Sequence, residues 1–375
     1  MNDNSPSKTR ICVYTDKWGS GGIESFILNM LEHMNKEDLE IDIVTAKPES
    51  ELYKQRVESL GVGFYILSGS IRKLRKNRAM LKKLFKERNY SAVHLNIYQA
   101  LPMVYLKDAQ KAGVPIRITH SHNTDLRRST GRYAKLFLHS IMKRFFTRYA
   151  TTCLSCSRRA AEFMFNKGTD YVFVANGIET DKFAFTSAGR EAERGRLGLD
   201  GRFVIGNVGR LCSQKNQSFL LDVLAELKEK CPESVLLLVG EGEDLEMLGR
   251  KANRLGISDS VIFYGVTDNI RPLYWAMDAF LLPSLFEGLG IVAIEAQAAG
   301  LPVICSENVP SEAGPTILAE YMPLEAGPKK WAEAALACKD TPRRDVIPSL
   351  LEAGYDIEKA AVKVRDIYGK NRVKV

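Results

Sequence analysis

Two carboxylates, Glu287 and Glu295, stand eight residues apart across the junction between the glycine-rich run Glu287, Gly288, Leu289, Gly290 and an apolar stretch that opens at Ile291. If helical throughout, those eight residues would rise roughly 12 Å, a spacing that suits the two ends of a long ligand better than a paired acid and base. Local composition positions them. Ala279 to Leu282 reads as a strand end, Pro283 as a turn, and Ile291 to Ala299 as a buried helix stopped by Gly300 and Pro302. The helix start between the carboxylates offers free backbone N–H groups and a positive dipole end, which attract phosphate, and each carboxylate accepts hydroxyl protons. Hydroxyls at both ends with phosphates between them describe a nucleotide sugar. Upstream, Arg210 and Lys215 follow the strand-like run Phe203 to Val208; arginine presents a planar fork to phosphate oxygens and lysine a mobile point charge.

The pair Glu287 and Glu295, set in EGLG, EAQAAG and LPVI, resembles the E-x7-E signature of retaining glycosyltransferases of the GT-B fold, family 4 in particular. Three further motifs stand in family order: GGIE at Gly21 to Glu24, NGIE at Asn176 to Glu179, and G-R-L-x-x-x-K-N at Gly209 to Asn216. Cys212 and Ser213 depart from the commonest residues of the last one. The resemblance implies an α/β protein with two Rossmann-like parallel-sheet domains facing across a cleft. Residues 1–185 would bind the acceptor and 200–350 the nucleotide sugar, with a C-terminal helix at about 355–372 crossing back to the first domain.

The resemblance also implies roles. Arg210 and Lys215 would hold the donor diphosphate, Glu287 with Gly288, Leu289, Gly290 and Ile291 the sugar, and Glu295 the ribose. Gly21 and Gly22 would wall the donor site. A histidine at the end of the strand Ile116 to Thr119 would lie near the donor sugar, and His120 continues that strand directly; His122 is expected on its opposite side, and His122, Asn123 and Asn176 are cleft candidates. The catalytic set is then His120, Glu287, Arg210 and Lys215. Without a D-x-D motif, no metal ion or other cofactor is expected. The donor is expected to be a UDP-sugar rather than a GDP-sugar, and the acceptor a lipid-linked or polysaccharide-precursor hydroxyl.

At 375 residues, 45% apolar and 26% charged, the chain can build two full cores. No apolar run approaches the roughly 20 residues of a bilayer span, and the polar start MNDNSPSKTR lacks a signal-peptide core. The expected place is the cytoplasm. Seven scattered cysteines read as free thiols, Cys153 and Cys156 as buried small residues rather than half of a zinc site. Strand and helix signals alternate from Arg10 onward, the mark of a parallel sheet covered by helices. The poorly patterned stretch Thr186 to Arg202 is expected to link the domains.

The net charge of +8 suggests an anionic partner. Its cations gather on an expected helix Ile71 to Arg88 and on Thr130 to Tyr149, where Tyr133, Phe137, Ile141, Phe145 and Tyr149 recur at helical spacing and Lys135, His139 and Lys143 mark another side, joined by Arg127, Arg128, Arg132, Arg144 and Arg148. Such a stripe is either core packing or a contact with anionic lipid. Together the two stretches suggest a peripheral membrane contact. Nucleic acid is not expected as a partner, since no recognised binding motif accompanies the charge. A nucleotide-sugar epimerase of the same fold would need no acceptor, and a catalytically silent binding protein would show no turnover.

Overall fold

A computed structural model of the chain describes residues 8–19, 21–49, 51–126 and 131–369. The chain divides into two compact units, one running to Gly177 and resuming at Ile357, the other Ile178–Asp356. The first is a seven-stranded parallel sheet of β1 (Thr9–Trp18), β2 (Leu39–Pro48), β3 (Gly63–Ile66), β4 (Ala92–Ile97), β5 (Ile116–Ser121), β6 (Thr152–Ser155) and β7 (Val172–Phe173), in the order β3-β2-β1-β4-β5-β6-β7. The second is six-stranded and parallel, with β8 (Phe203–Val208), β9 (Ser234–Val239), β10 (Val261–Gly265), β11 (Ala279–Leu282), β12 (Val303–Ser306) and β13 (Ala319–Met322) in the order β10-β9-β8-β11-β12-β13. These are the two Rossmann-like domains.

Period-two alternation distributes each strand between two covering layers. In β1, Ile11 and Val13 pack with Phe26 and Leu28 of the first helix and with Ala361, Val364 and Ile367 of the last. Cys12 and Tyr14 face the other way, toward Leu81, Phe85 and Tyr105. The last helix, Ile357–Gly369, is therefore part of the first unit's core, as the returning C-terminal helix was expected to be. In the second unit Ile205, Leu236 and Leu238 pack against Leu220, Leu224 and Trp331.

Several sequence readings change. The stretch Thr186 to Arg202 is not a bare linker: it carries a helix, Ser187–Leu197, capped by the Thr186 hydroxyl and inside the second unit. Buried Arg194 anchors it, donating to the carbonyls of Ala276 and Leu199. The unit boundary accordingly falls at Gly177, ahead of the expected 185. The basic helix begins at Leu74. Six of the seven cysteines are buried, and all are free thiols.

Of the two readings open for the basic aromatic stretch, most of its stripe takes the outward one, on the helix Arg132–Phe146, followed by a 3₁₀ turn, Thr147–Tyr149; Arg127, Arg128 and Thr130 lie outside the described residues. Its side marked by His139 and Lys143 turns inward. The His139 ring takes the Ala100 N–H at Nδ1 and bonds the Phe163 carbonyl at Nε2, and Lys143 donates to that same carbonyl. Tyr133 and Phe137 are 83% and 70% exposed, and Leu138, Ile141 and Phe145 are exposed with them. Tyr149 leaves this face to pack, half-buried, on the core. Of the cations on Leu74–Arg88, Arg78 pairs with buried Asp108 at 2.7 Å and Arg88 with buried Asp42 at 3.0 Å, so these two hold the fold rather than a partner.

Candidate active site

In an open α/β sheet, ligands bind beyond the strand C-termini where the strand order reverses. In the second unit that point lies between β8 and β11, and the expected donor residues leave from those two strand ends. Gly209 follows β8 with φ of 144°, a region open to glycine, and a Cβ there would stand 3.1 Å from Lys215 Cε. The turn that follows is tied to the loop after β11: the Leu285 N–H donates to the Gln214 carbonyl (2.8 Å), the Gln214 amide to the Phe286 carbonyl (3.1 Å), and Asn216 to the Pro283 carbonyl (3.2 Å). Gln217, buried beneath, donates to the Arg210 carbonyl at 3.1 Å. Two loops distant in sequence thus become one rigid floor.

On that floor Lys215 Nζ lies 2.7 Å from Glu287 Oε1, and Ser284 Oγ donates to the same oxygen at 2.6 Å. Both members of the pair are largely buried, with side chains 16% and 7% exposed. Gly290 caps the helix Ile291–Ala298 in the left-handed region, φ 93°, and turns the chain so that Glu295 falls on its second turn. Glu295 Oε2 accepts from the Tyr274 hydroxyl at 2.7 Å. Burial raises the Glu295 carboxyl to about 7, although Tyr274 and the charge of Lys215 pull it down. Arg210 is half exposed and makes a surface pair with Glu243 at 3.2 Å, a contact weak enough to exchange for a phosphate. Lys215, Glu287 and Glu295 are brought together; Arg210 stands at the rim.

In the first unit the reversal lies between β1 and β4. Glu24 is buried beside Gly21, and burial pushes its carboxyl to about 7. A Cβ on Gly21 would collide with that carboxylate, while Gly22 has open space around it. His120 lies within β5, and His122 just beyond it is on the same side, not the opposite one: the rings are 4.0 Å apart and both lie 5.1 Å from Phe26. Residues two apart in a strand share a face, which makes the sequence expectation an error of parity. Burial, aided by His94 and for His120 also by His122, holds His120 well below the usual histidine range and His122 at about 3, so both are neutral at pH 7. Asn176 is buried with its side-chain oxygen unpartnered among the described residues, and Asn123 bonds locally to the Asp125 carbonyl.

Five polar residues escaped the sequence reading: Tyr274, Ser284, Asp16, His94 and Asn96. Asp16 lies in the last part of β1, where its polar neighbours read as loop; it accepts from the Tyr14 hydroxyl at 2.7 Å, and burial raises it to about 6. His94 and Asn96 stand two apart in an apolar strand, a spacing that points both to one face and could have flagged them.

Two family profiles divide the chain: glycosyltransferase family 4 matches residues 20–182, and glycosyl transferases group 1 matches 189–314. A Bacillus subtilis protein named as the glycosyltransferase EpsF is 30% identical over 374 residues, covering 96% of this chain and 97% of its own. An Escherichia coli UDP-Gal:alpha-D-GlcNAc-diphosphoundecaprenol alpha-1,3-galactosyltransferase is 25% identical over 295 residues, 76% of each chain. Among solved structures, HepE of Anabaena in complex with UDP and glucose superposes with a TM-score of 0.79 at 19% identity over 96% of this chain and 100% of that one, a likeness of fold. With motifs, two parallel-sheet units and a full-length relative in agreement, the chain is a GT-B glycosyltransferase and belongs to glycosyltransferase family 4.

Proposed function

We propose that this enzyme transfers a sugar from UDP to a hydroxyl of a lipid-linked or oligosaccharide acceptor, with retention at the anomeric carbon and without a divalent ion. The observation that carries the reading is the Lys215–Glu287 pair beside Glu295. It offers a cation for a diphosphate and two carboxylates for hydroxyls, in the order in which a nucleotide sugar presents them. Lys215, with Arg210 swinging in from the rim, neutralises charge on the departing diphosphate, the work a metal does elsewhere. Glu287 holds the sugar and Glu295 the ribose hydroxyls. Chemically, the bond from the anomeric carbon to the phosphate oxygen breaks, the acceptor oxygen bonds on the same face, and its proton passes to the leaving phosphate. UDP is supported by the named donor of the galactosyltransferase and by the nucleotide bound in the structural neighbour.

Thermal stability against UDP, GDP, ADP and their sugars tests the donor, because a ligand that binds only the folded state raises its melting temperature in step with affinity. A rise for UDP and UDP-sugars alone is expected, with transfer undiminished in excess chelator. A rise confined to GDP would replace the donor class, turnover without acceptor would make the enzyme an epimerase, and loss of transfer in chelator would refute metal independence.

The exposed face of Arg132–Phe146 fits a membrane contact at the inner leaflet: Tyr133, Phe137, Ile141 and Phe145 line it, with exposed Lys135, Arg144 and Arg148 nearby for anionic headgroups. Among the described residues no helix is long and apolar enough to cross a membrane. Cosedimentation should therefore be stronger with phosphatidylglycerol vesicles than with phosphatidylcholine. Phe137→Ser with Phe145→Ser removes about 1.5 kcal/mol of burial per ring, so a loss of about a hundredfold in partitioning is expected. Equal binding by the double variant, or preference for an oligonucleotide, would defeat the assignment.

A further inference from the structure

A buried chain of hydrogen bonds runs from the last helix to His120. The Tyr368 hydroxyl lies 2.7 Å from His94 Nδ1, and His94 Nε2 lies 3.3 Å from His120 Nδ1. The two imidazoles are almost parallel, 10° apart. The chain stops at His120 Nε2, which is buried and has no partner among the described residues.

Proton bookkeeping gives this chain a direction. Burial raises the Tyr368 phenol and lowers His94 to about 3, so the phenol keeps its proton and the rings are neutral near pH 7. A neutral imidazole carries one N–H and one bare nitrogen. The hydrogen bond found for Tyr368 is to His94 Nδ1; when the phenol donates there, His94 must carry its hydrogen on Nε2 and donate it to His120 Nδ1. His120 is left with its hydrogen on Nε2. We infer that Tyr368, acting through His94, is a positioning residue that holds His120 as an Nε2–H donor for an oxygen of the sugar substrate.

The neighbouring ring has the complementary polarity. His122 Nε2 lies 3.0 Å from the Asn96 side-chain oxygen, which can only accept, so His122 Nδ1 is a bare acceptor, and it too is buried without a partner among the described residues. A donor and an acceptor on rings 4.0 Å apart match a hydroxyl, which accepts and donates at once. Left unmet, each such buried group costs about 1–3 kcal/mol, which favours a ligand that satisfies both.

The direction of the chain stands on the ligand-free protein; only the identity of the ligand rests on the glycosyl-transfer reading. The whole chain labelled with ¹⁵N-histidine contains five histidines, few enough for long-range ¹H–¹⁵N spectra to resolve each ring. His120→Asn assigns the ring in question. Expected are a protonated Nε2 and a bare Nδ1 on His120 near neutral pH, and a mixture of tautomers in Tyr368→Phe. Transfer by Tyr368→Phe should fall about 10- to 100-fold, as for other groups that orient a working histidine. A proton on His120 Nδ1 in the unaltered protein would overturn the inference with no variant needed, as would an unchanged tautomer in Tyr368→Phe. The His120 Nε2 signal should move with UDP-sugar and stay with UDP; if a UDP-sugar that raises the melting temperature leaves it still, the sugar contact is wrong. Should no nucleotide sugar bind while the tautomers behave as stated, the transfer reading fails and the proton order survives.

Discussion

Lys215→Met is expected to lower kcat/KM by about a hundred- to a thousandfold, the scale of removing one preorganised charge from a developing anion. Lys215 reaches Glu287 across 72 residues of sequence to make a 2.7 Å ion pair. The substitution also withdraws the cation from a carboxylate that is 6% exposed and accepts from the Ser284 hydroxyl, so stability should fall by about 1–3 kcal/mol. Loss of activity could then be mistaken for loss of fold. The double variant Lys215→Met with Glu287→Gln separates them: removing the buried charge that has lost its cation should restore most of the stability, measured by denaturant unfolding, without restoring transfer. A double-mutant cycle on stability then gives the coupling of the pair directly. Retention of transfer within a few-fold of the parent in Lys215→Met would remove the diphosphate role assigned to this residue.

Glu295 carries the second large effect, and it is a matter of pH. Its carboxyl titrates at about 7 in the folded chain, raised mainly by burial, against roughly 4.3 for an unfolded glutamate. The folded state therefore binds the proton more tightly. The stabilisation this confers is complete below the unfolded value and is lost as pH rises through about 7. At pH about 8 the ligand-free fold holds a largely enclosed carboxylate, and Glu295→Gln should be more stable than the parent by on the order of 2 kcal/mol, with no gain at pH about 4.

Donor binding has the opposite dependence. If the ribose hydroxyls donate to the ionised carboxylate, UDP affinity should be greatest above pH 7 and fall toward tenfold per unit below it, while Glu295→Gln binds weakly and loses this dependence. Calorimetric titration with UDP between pH about 5.5 and 8.5 measures both curves. A parent affinity that is flat across that range would mean that Glu295 does not meet the ribose in its charged form.

Much of the donor domain was legible because its strands are buried on both faces. Continuous apolar runs such as Ser234 to Val239 and Ala279 to Leu282 then carry their own boundaries, and the observed strands have those same ends. Boundaries were poorer in the first unit. β1 continues through Asp16, Lys17 and Trp18, polar or bulky residues that read as loop, because pairing with β2 as far as Pro48 sustains the strand.

What the sequence by itself determined is the inventory and its order: two runs of alternating strands and helices, and motifs that place Arg210, Lys215 and Glu287 in the turns after strands and Glu295 in the helix that follows. Local propensity and the burial period act over neighbouring residues, so they are written locally. What only the tertiary structure decided is which faces meet. The helix Arg132–Phe146 has two distinct sides, and its pattern does not say that His139 goes in and Phe137 out; the Ala100 N–H and the Phe163 carbonyl, which need polar partners once buried, choose the histidine. Nor could spacing show that Tyr368 lies against His94, 274 residues away. Such pairings follow from strand order and from the return of the last helix, and these are properties of the folded sheet rather than of any window along the chain.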